Sequence, residues 1–382
     1  MMMKTNLGES LVMEKKKKKT WLKKLGVIAV ASAMLIAFAG CVNQNPDKKT
    51  DKSADGNSTD SKNIISIEDP TEREAVEAAR KKVAQLGRAP RIVATSAATA
   101  DICDKLGLDL VGVCETTVSV LPERYKDVKK VGSPMAPDVE ILASIKPDWV
   151  LSPVSLQGDL QPKYEAMKTD WGFLNLSSVP GMYRSIQEIG MIFNKEAEAD
   201  KLVSDFNKFY ESYRSKNEGK EHPKVLILMG LPGSYLIATE NSYVGSLVEL
   251  AGGENVYAGT NQEFLNVNTE DMKTKKPDII LRTAHALPDN VIKMFKKDFE
   301  ENDIWKHFDA VKNGQVFDLT YSHFGMSAKF NYPEALEELQ PILYPENDSD
   351  RAKAKENSDN AGKSAEQSNG SAKYDEIMKN KR

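Results

Sequence analysis

The side chains best suited to chemistry in this chain are one histidine and one methionine on separate loops. His285 follows an apolar predicted strand and lies between Ala284 and Ala286, whereas Met135 lies on a loop just ahead of a predicted helix. Haem iron brings four nitrogens of its own and needs only two axial ligands, for which histidine with methionine is an established pair. A bare Zn²⁺ or Mn²⁺ ion would need three or four protein donors, which the sequence does not bring together. These residue types therefore favour a haem-iron site.

Simpler interpretations of both residues stay open at this level. A histidine on a loop often only makes hydrogen bonds, and a loop methionine often only packs. His323, within residues 321–326 (Tyr-Ser-His-Phe-Gly-Met), is a rival ligand for the same reasons as His285, whereas His222 and His307 lie in polar settings. The chain has no Gly-x-Ser-x-Gly nucleophile elbow and no phosphate-binding glycine loop, so its motifs favour binding over catalysis.

An internal repeat organises the middle of the chain. Residues 132–140 run through a short predicted helix into Lys-Pro-Asp at 146–148, and residues 268–278 repeat this order. Glu140 and Glu270 precede the two Lys-Pro-Asp segments by the same interval, and an apolar strand follows each segment. Pro137 suits the first position of the first helix, where a missing N–H costs nothing. A repeat of this kind predicts two related lobes.

The pattern around each repeat predicts the fold. Residues 91–96 and 110–114 are apolar strands separated by a helix, which is a βαβ unit of a largely parallel sheet. The second lobe begins at Lys224 with the same order, and an apolar stripe over residues 184–213 predicts a single helix between the lobes. We therefore expect an α/β fold of two lobes, each with a mainly parallel sheet and flanking helices, joined by one long connector helix. The expected boundaries are 66–182 for the N-terminal lobe, 183–217 for the connector helix and 218–346 for the C-terminal lobe.

Ligands of parallel sheets bind outside the carboxyl ends of the strands, where helix N-termini offer N–H groups to anions. This rule and the motifs that follow the strands predict a set of ligand-contacting residues from both lobes. They are Thr95, Ser96, Ala97, Ser155, Ser242 and Tyr243, to which the family resemblance given below adds Phe324 and Met326.

Composition excludes several other classes. A net charge of −4 gives no case for a nucleic-acid partner, and three cysteines are too few for a disulfide framework. Cys103 and Cys114 lie on apolar faces, so buried free thiols are favoured over a redox or metal pair. A chain of 382 residues exceeds what one hydrophobic core usually spans, which agrees with two lobes.

The N-terminal residues predict export and anchoring. A lysine-rich segment after Met13, the expected start, precedes an apolar run from Leu25 to Ala39, as in a secretory signal peptide spanning 1–40. Phe38-Ala-Gly-Cys41 resembles a bacterial lipobox, which implies cleavage before Cys41 and transfer of a diacylglyceryl group to its sulfur. An uncleaved anchor helix is the alternative, although the run is short for a membrane span. Residues 41–65 and 347–382 are polar, and we expect a disordered tether and a disordered tail with a weak helix near 374–379.

Four segments resemble haem-binding lipoproteins of Gram-positive haem ABC importers, which are helical-backbone substrate-binding proteins related to those for siderophores and cobalamin. The resemblance covers roughly residues 90–345 and implies that Met135 and His285 are axial haem ligands, one from each lobe. It also implies that Glu140 and Glu270 contact the permease dimer, although an acidic residue in a helix's first turn is favourable by itself. The segments are 131–140 (Val-Gly-Ser-Pro-Met-Ala-Pro-Asp-Val-Glu), 146–152 (Lys-Pro-Asp-Trp-Val-Leu-Ser), 281–286 (Leu-Arg-Thr-Ala-His-Ala) and 324–328 (Phe-Gly-Met-Ser-Ala).

The resemblance further implies a monomeric, non-enzymatic protein that is lipid-anchored at the outer face of the cytoplasmic membrane. Its partners would be haem, an ABC permease dimer with its ATPase and, upstream, cell-wall haem-relay proteins. Two other classes remain open. One is a binding protein for a ferric siderophore or cobalamin, in which Met135 would have no ligand-binding role. The other is an extracellular haem-modifying enzyme, against which an axial Met–His pair counts because it leaves iron no open position for oxygen.

Overall fold

The computed structural model of the protein describes residues 67, 69–116 and 119–361. The predicted signal peptide, Met13, Cys41, the tether 41–65 and the part of the tail from residue 362 onward lie outside the described residues. Within the described part of the chain, no helix has the length and apolar character needed to cross a membrane.

The secondary structure falls into two sheets with helices between and around them. The first lobe, defined by the first sheet, contains α1 (Pro70–Gln85), β1 (Ile92–Ala94), α2 (Ala97–Lys105), β2 (Leu110–Val113), β3 (Gly132–Ser133), β4 (Ala136–Pro137), α3 (Val139–Ile145), β5 (Trp149–Pro153), α4 (Gln157–Met167) and β6 (Asp170–Leu174). Two helices follow, α5 (Val179–Ile192) and α6 (Glu196–Ser215). The second lobe, defined by the second sheet, contains β7 (Lys224–Leu231), β8 (Ser234–Ala238), α7 (Tyr243–Leu250), β9 (Glu254–Asn255), β10 (Phe264–Leu265), α8 (Thr269–Thr274), β11 (Ile279–Ala284), α9 (Pro288–Glu301), α10 (Asp309–Lys312), β12 (Val316–Asp318), α11 (Tyr332–Leu343) and α12 (Asp348–Asn360).

The two sheets differ in strand direction. The first has the order β2-β1-β5-β6 and all of its pairs are parallel. The second has the order β10-β8-β7-β11-β12, with β9 beside β7. Its strands β7, β9, β11 and β12 are parallel, whereas β8 runs antiparallel to β7 and to β10. The predicted α/β class is confirmed, and the second sheet is mixed.

The sequence repeat corresponds to a repeated piece of structure. In each Lys-Pro-Asp segment the lysine has a positive φ, 52° in the first copy and 48° in the second. The aspartate then accepts a backbone hydrogen bond from a residue at the start of the neighbouring strand or directly before it. Asp148 accepts from Arg91 N at 2.7 Å, and Asp278 accepts from Lys224 N at 2.8 Å. Each copy therefore ties a helix end to the starts of two parallel strands.

The helix of the first copy begins two residues later than predicted. Pro137 is buried in the short strand β4, and α3 begins at Val139. Asp138 is the N-cap, and one of its carboxylate oxygens accepts hydrogen bonds from Glu140 N and Ile141 N, both at 2.9 Å. The predicted first-position role of Pro137 is wrong because the aspartate after it supplies the stronger helix start.

The predicted single connector helix is two helices that fold back on each other. Asn194 takes a φ of 56° and separates α5 from α6. The rings of Tyr183 and Phe206 stack with centroids 4.6 Å apart, whereas one straight helix would hold them about 35 Å apart. The apolar stripe continues across the break because both helices bury it, which is why the pattern alone predicts one helix.

A single hydrophobic core runs through both lobes. It includes one face of each sheet together with buried residues of α5 and α6 such as Ile186 and Phe206. Two smaller clusters cover the opposite faces, one around Val150 in the first sheet and one around Leu228 in the second. The paired helices α5 and α6 are thus part of the core that joins the sheets.

The predicted disorder of the tail is wrong for residues 348–360, which form α12. Its buried side chains are small, with Ala354 at 1% and Ser358 at 4% exposure. Ser358 Oγ accepts a hydrogen bond from Asp318 N at 2.8 Å, so α12 covers the edge strand β12. Two small residues one turn apart do not form a recognisable apolar helix face in a polar segment, so the sequence did not predict this helix.

Ser358→Ala is expected to lower the free energy of unfolding by about 1–3 kcal/mol, because it leaves the buried N–H of Asp318 without a partner. Urea unfolding followed by circular dichroism measures the change. Ser349→Ala, at an exposed position of the same helix, is the matched control. Equal stability of the two variants would show that α12 does not cover the strand edge in solution.

Candidate ligand-binding site

Met135 lies at the tip of the β3–β4 hairpin and is 73% exposed. The hairpin is fixed to the end of β2, since Val131 N donates to Val113 O at 3.0 Å and Glu115 N donates to Gly132 O at 2.8 Å. Strand β2 belongs to the parallel sheet, so Met135 is held near a carboxyl strand end. Such an exposed thioether on a braced loop is available to a ligand.

His285 directly follows β11, and its backbone N–H donates to Gly230 O of β7 at 2.9 Å. Because β7 and β11 are parallel, His285 also lies at a carboxyl strand end. Its side chain is exposed, and the ring makes no hydrogen bond with any described residue. In contrast, His222 Nδ1 lies 2.7 Å from Gly252 O, while His307 is on an exposed 3-10 turn.

The two lobes meet through loops that follow their strands. Ala328 N, beyond β12, donates to Leu176 O, beyond β6, at 2.7 Å. Lys105 of α2 lies 5.8 Å from the ring centre of Phe330. Met135 on the first lobe and His285 on the second lobe are therefore parts of one packed unit.

The predicted hydroxyl contacts of the first lobe are mostly satisfied inside the protein. Thr95 is fully buried and its Oγ1 lies 2.8 Å from Ser152 Oγ. Ser96 is the N-cap of α2, and its Oγ accepts from Thr99 N at 3.1 Å. The N–H groups of Ala97 and Ala98 are thus the first-turn donors without a helix partner, and Ala97 is the half-buried one of the two, since Ala98 is buried. Ser155 is exposed on a 3-10 turn after β5.

Two predicted contacts of the second lobe lie away from His285. Ser242 and Tyr243 are buried, at 1% and 3% exposure, and they follow β8. Strand β8 is antiparallel to β7, and its last residue, Ala238, lies beside the middle of β7, roughly 13 Å along the strand direction from the end that carries His285. The prediction assumed that the second lobe mirrors the parallel order of the first, and the antiparallel strand removes that symmetry.

The loop after β12 lies beside the end of β11. Thr283 Oγ1 donates to Phe324 O at 2.9 Å, and Phe324 itself is fully buried. Met326 is 40% exposed, and His323 is partly buried with Nδ1 at 2.9 Å from Glu338 Oε2. His323 and Met326, unlike Phe324, thus offer side chains near His285.

A charge pair between the lobes was missed by sequence reasoning, because isolated charged residues carry no pattern. Asp101 of α2 and Lys329, which follows β12, interact electrostatically without forming an ion pair. Burial raises the pKa of Asp101 to about 7, and the Lys329 charge opposes this increase. Burial also lowers the pKa of Lys329, partly offset by Asp101. The two groups make the contact between α2 and the second lobe sensitive to pH.

Asp101→Asn is expected to flatten the pH dependence of stability between about pH 4 and 7. The folded-state pKa of about 7 lies above the ordinary aspartate value of 3.8, so the folded state binds more protons in this window and stability falls as pH rises. The variant should therefore be more stable than the parent at pH 8. Urea unfolding at several pH values measures this, with Asp104→Asn on the same helix as control. An unchanged pH profile would contradict the assignment.

Cys103 and Cys114 are buried free thiols, as predicted. Burial raises the pKa of Cys103 to about 12 and that of Cys114 to about 11, so neither is a ready thiolate. No group of three or more His, Cys, Asp or Glu side chains in the described residues could hold a bare metal ion.

Glu140 and Glu270 occupy matching places in the repeat. Each is exposed in the first turn of its helix, α3 and α8 respectively. Neither carboxylate has a hydrogen bond or an ion pair with another described residue. Two small cavities of the second lobe, about 290 and 310 Å³, are lined by neither glutamate and by neither Met135 nor His285.

Comparison with known proteins identifies the family. A model of the family described as periplasmic binding protein matches residues 92–322. The chain belongs to the periplasmic binding protein family.

Several periplasmic binding proteins are similar over most of their length. The high-affinity heme uptake system protein IsdE of Staphylococcus aureus is 44% identical over 255 residues, which is 66% of this chain and 87% of that protein. The crystal structure of S. aureus IsdE complexed with heme superposes with a TM-score of 0.62 at 43% identity, covering 67% of this chain and 99% of that one. An ABC transporter substrate-binding protein from Listeria monocytogenes EGD-e gives a TM-score of 0.64 at 48% identity, with coverage of 67% and 99%.

Proposed function

We propose that this protein binds haem between its two lobes and delivers it to an ABC permease for haem-iron uptake. The similarity to S. aureus IsdE, solved in complex with heme, carries this proposal because it spans nearly all of that chain. The exposed Met135 and His285 support it, since each lobe contributes one side chain of a type that binds haem iron.

In the proposed complex the sulfur of Met135 and a ring nitrogen of His285 bind the iron from opposite faces of the haem. Both side chains are exposed and make no hydrogen bond with a described residue, so binding displaces no internal contact. Two axial ligands close the iron to oxygen, which disfavours a haem-modifying enzyme. The proposed role is therefore carriage, with no bond of the haem itself made or broken.

The haem propionates need partners that tolerate negative charge. The N-terminus of α2 offers the N–H of the half-buried Ala97 and the positive end of the helix dipole. Ser155 lies on the turn after β5 in the same lobe. We place the propionates toward solvent or toward this end of α2, and not at the buried Ser242 and Tyr243.

The proposal is tested by titrating the purified protein with hemin and recording its absorption spectrum. We expect saturation near one haem per protein and the spectrum of a six-coordinate, low-spin iron. Cobalamin and a ferric hydroxamate siderophore are the competing ligands, because related importers carry them. Preferential binding of either one over hemin would replace haem as the cargo.

We further propose that Glu140 and Glu270 dock on the permease. Both are exposed and unpaired among the described residues, and their places in the repeat suit a two-fold permease dimer. Charge reversal of both to lysine should reduce growth on haem as the iron source while leaving hemin binding unchanged. Glu254→Lys, at another exposed position of the second lobe, is the control. Normal growth of the double variant would exclude this docking role.

The anchor is a proposal from residues outside the described part. We place a lipid on Cys41 after removal of residues 1–40, which holds the monomeric protein at the outer face of the membrane, where cell-wall haem-relay proteins could supply it. Two acyl chains give stable anchoring where a single chain gives only marginal binding. Release of a Cys41→Ala variant into the medium is the expected result, and retention of that variant in the membrane fraction would contradict it.

A further inference from the structure

A buried carboxylate fixes the ring of His323. Nδ1 of His323 lies 2.9 Å from Oε2 of Glu338, whose other oxygen accepts a hydrogen bond from Thr320 N at 2.9 Å. Glu338 is only 6% exposed. A carboxylate oxygen accepts from an N–H, so this contact gives the donor role to Nδ1 and leaves Nε2 as the ring nitrogen that can offer a lone pair.

The remaining ring nitrogen is uncommitted. Nε2 of His323 makes no hydrogen bond with any described residue, and the side chain is 21% exposed. Histidines that bind metals usually donate their second ring N–H to a carboxylate or carbonyl, which fixes the ring and strengthens the donor nitrogen. His323 is the one histidine of the described residues that is paired with a carboxylate in this way.

His323 also lies on the same edge of the second lobe as His285. Leu319 N donates to Arg282 O at 2.8 Å, and Thr283 Oγ1 donates to Phe324 O at 2.9 Å. The loop that carries His323 therefore runs beside the last residues of β11, which lead directly into His285. Since a planar haem between two lobes presents one face to each lobe, both histidines address the same face.

We infer that His323 is a second imidazole donor for the iron of bound haem, which takes the place of His285 when His285 is withdrawn. This inference rests on the proposed haem binding. The exchange forms a bond between iron and Nε2 of His323 and breaks the bond between iron and His285, while the iron keeps its oxidation state. As haem enters or leaves, its iron would then exchange one histidine of the second lobe for the other, while Met135 is the ligand on the opposite face.

The test uses the full chain and hemin. His285→Ala is expected to keep a six-coordinate, low-spin spectrum, whereas His285→Ala/His323→Gln is expected to lose it. Glutamine retains an N–H for Glu338, so the buried carboxylate keeps a donor and the fold is preserved; circular dichroism checks this. His285→Ala/His307→Ala is the matched control, because His307 is an exposed histidine of the same lobe, and it should behave like His285→Ala alone.

Two results would overturn the inference. One is loss of the low-spin spectrum in His285→Ala alone, and the other is its persistence in the His285→Ala/His323→Gln variant. Both leave hemin binding by the parent protein intact and so do not affect the proposed function. Failure of the parent protein to bind hemin would instead remove the proposed function and this inference together.

Discussion

Met135→Ala is expected to convert hemin-loaded protein from a six-coordinate, low-spin spectrum to a high-spin spectrum. The thioether is the proposed donor on the first lobe, and alanine leaves that face of the iron open to water. Losing an outer-shell partner of a metal ligand already costs about 10–100-fold in affinity, so losing the ligand itself should cost at least about tenfold. Because Met135 is 73% exposed on a braced hairpin, the substitution should leave folding unchanged.

Two companion variants make this result specific. Val139→Ala removes an exposed apolar side chain just after the same hairpin, and it should leave the hemin spectrum as it is. Met326→Ala removes the other methionine that is exposed among the described residues, and this one lies on the second lobe. If Met326→Ala produced the high-spin spectrum and Met135→Ala did not, the methionine ligand would have to be reassigned.

Arg282→Met is expected to lower the free energy of unfolding by about 3–5 kcal/mol, because it leaves the carboxylate of Asp318 buried without its charge partner. Arg282 Nε and one terminal nitrogen donate to the two Asp318 oxygens at 2.7 and 2.8 Å. The residues are 6% and 2% exposed, and the guanidinium also lies 4.6 Å from the ring centre of Phe299. Chemical unfolding measures the loss, and hemin titration should show weaker binding because β11 carries His285.

A second Arg–Asp pair provides the control. Arg88 donates to both oxygens of Asp148 at 2.7 and 2.9 Å, but the arginine is exposed. Its guanidinium holds the pKa of Asp148 below the usual range. Since water screens this pair, Arg88→Met should cost much less stability than Arg282→Met. Comparable losses in the two variants would show that burial is not what makes the Arg282 pair important.

Local patterns were sufficient to predict the parallel strands and the repeat. Apolar runs bounded by glycine or proline predicted β1, β2, β5, β7 and β11, and the repeat predicted the helix that precedes β5 and β11. The direction of β8 was not predicted, because the direction of a strand depends on the connection that leads into it. The two-residue Pro232-Gly233 link between β7 and β8, with a Gly233 φ of 86°, is a hairpin signal that would have predicted β8 as antiparallel.

The remaining differences between the sequence predictions and the structure come from tertiary contacts. The break at Asn194 lies inside a continuous apolar stripe, and only the return of α6 onto α5 requires it. Helix α12 is held by Ala354 and Ser358 against β12, a partner that its own sequence does not indicate. In the site, Met135 and His285 are predicted as ligands from residue type and resemblance. The carboxylate partner of His323 was not, because Glu338 lies on a distant helix.

The aromatic packing of the α5–α6 hairpin has a mechanical consequence. Tyr183 stacks on Phe206 at 4.6 Å, and its hydroxyl lies 3.1 Å from that of Tyr332 in α11. The Phe206 ring also meets the Tyr332 ring edge-on at 5.7 Å. The three rings come from α5, α6 and α11, so this joint fixes the helix pair to the second lobe. The helix pair and the second lobe should therefore move together as one rigid body.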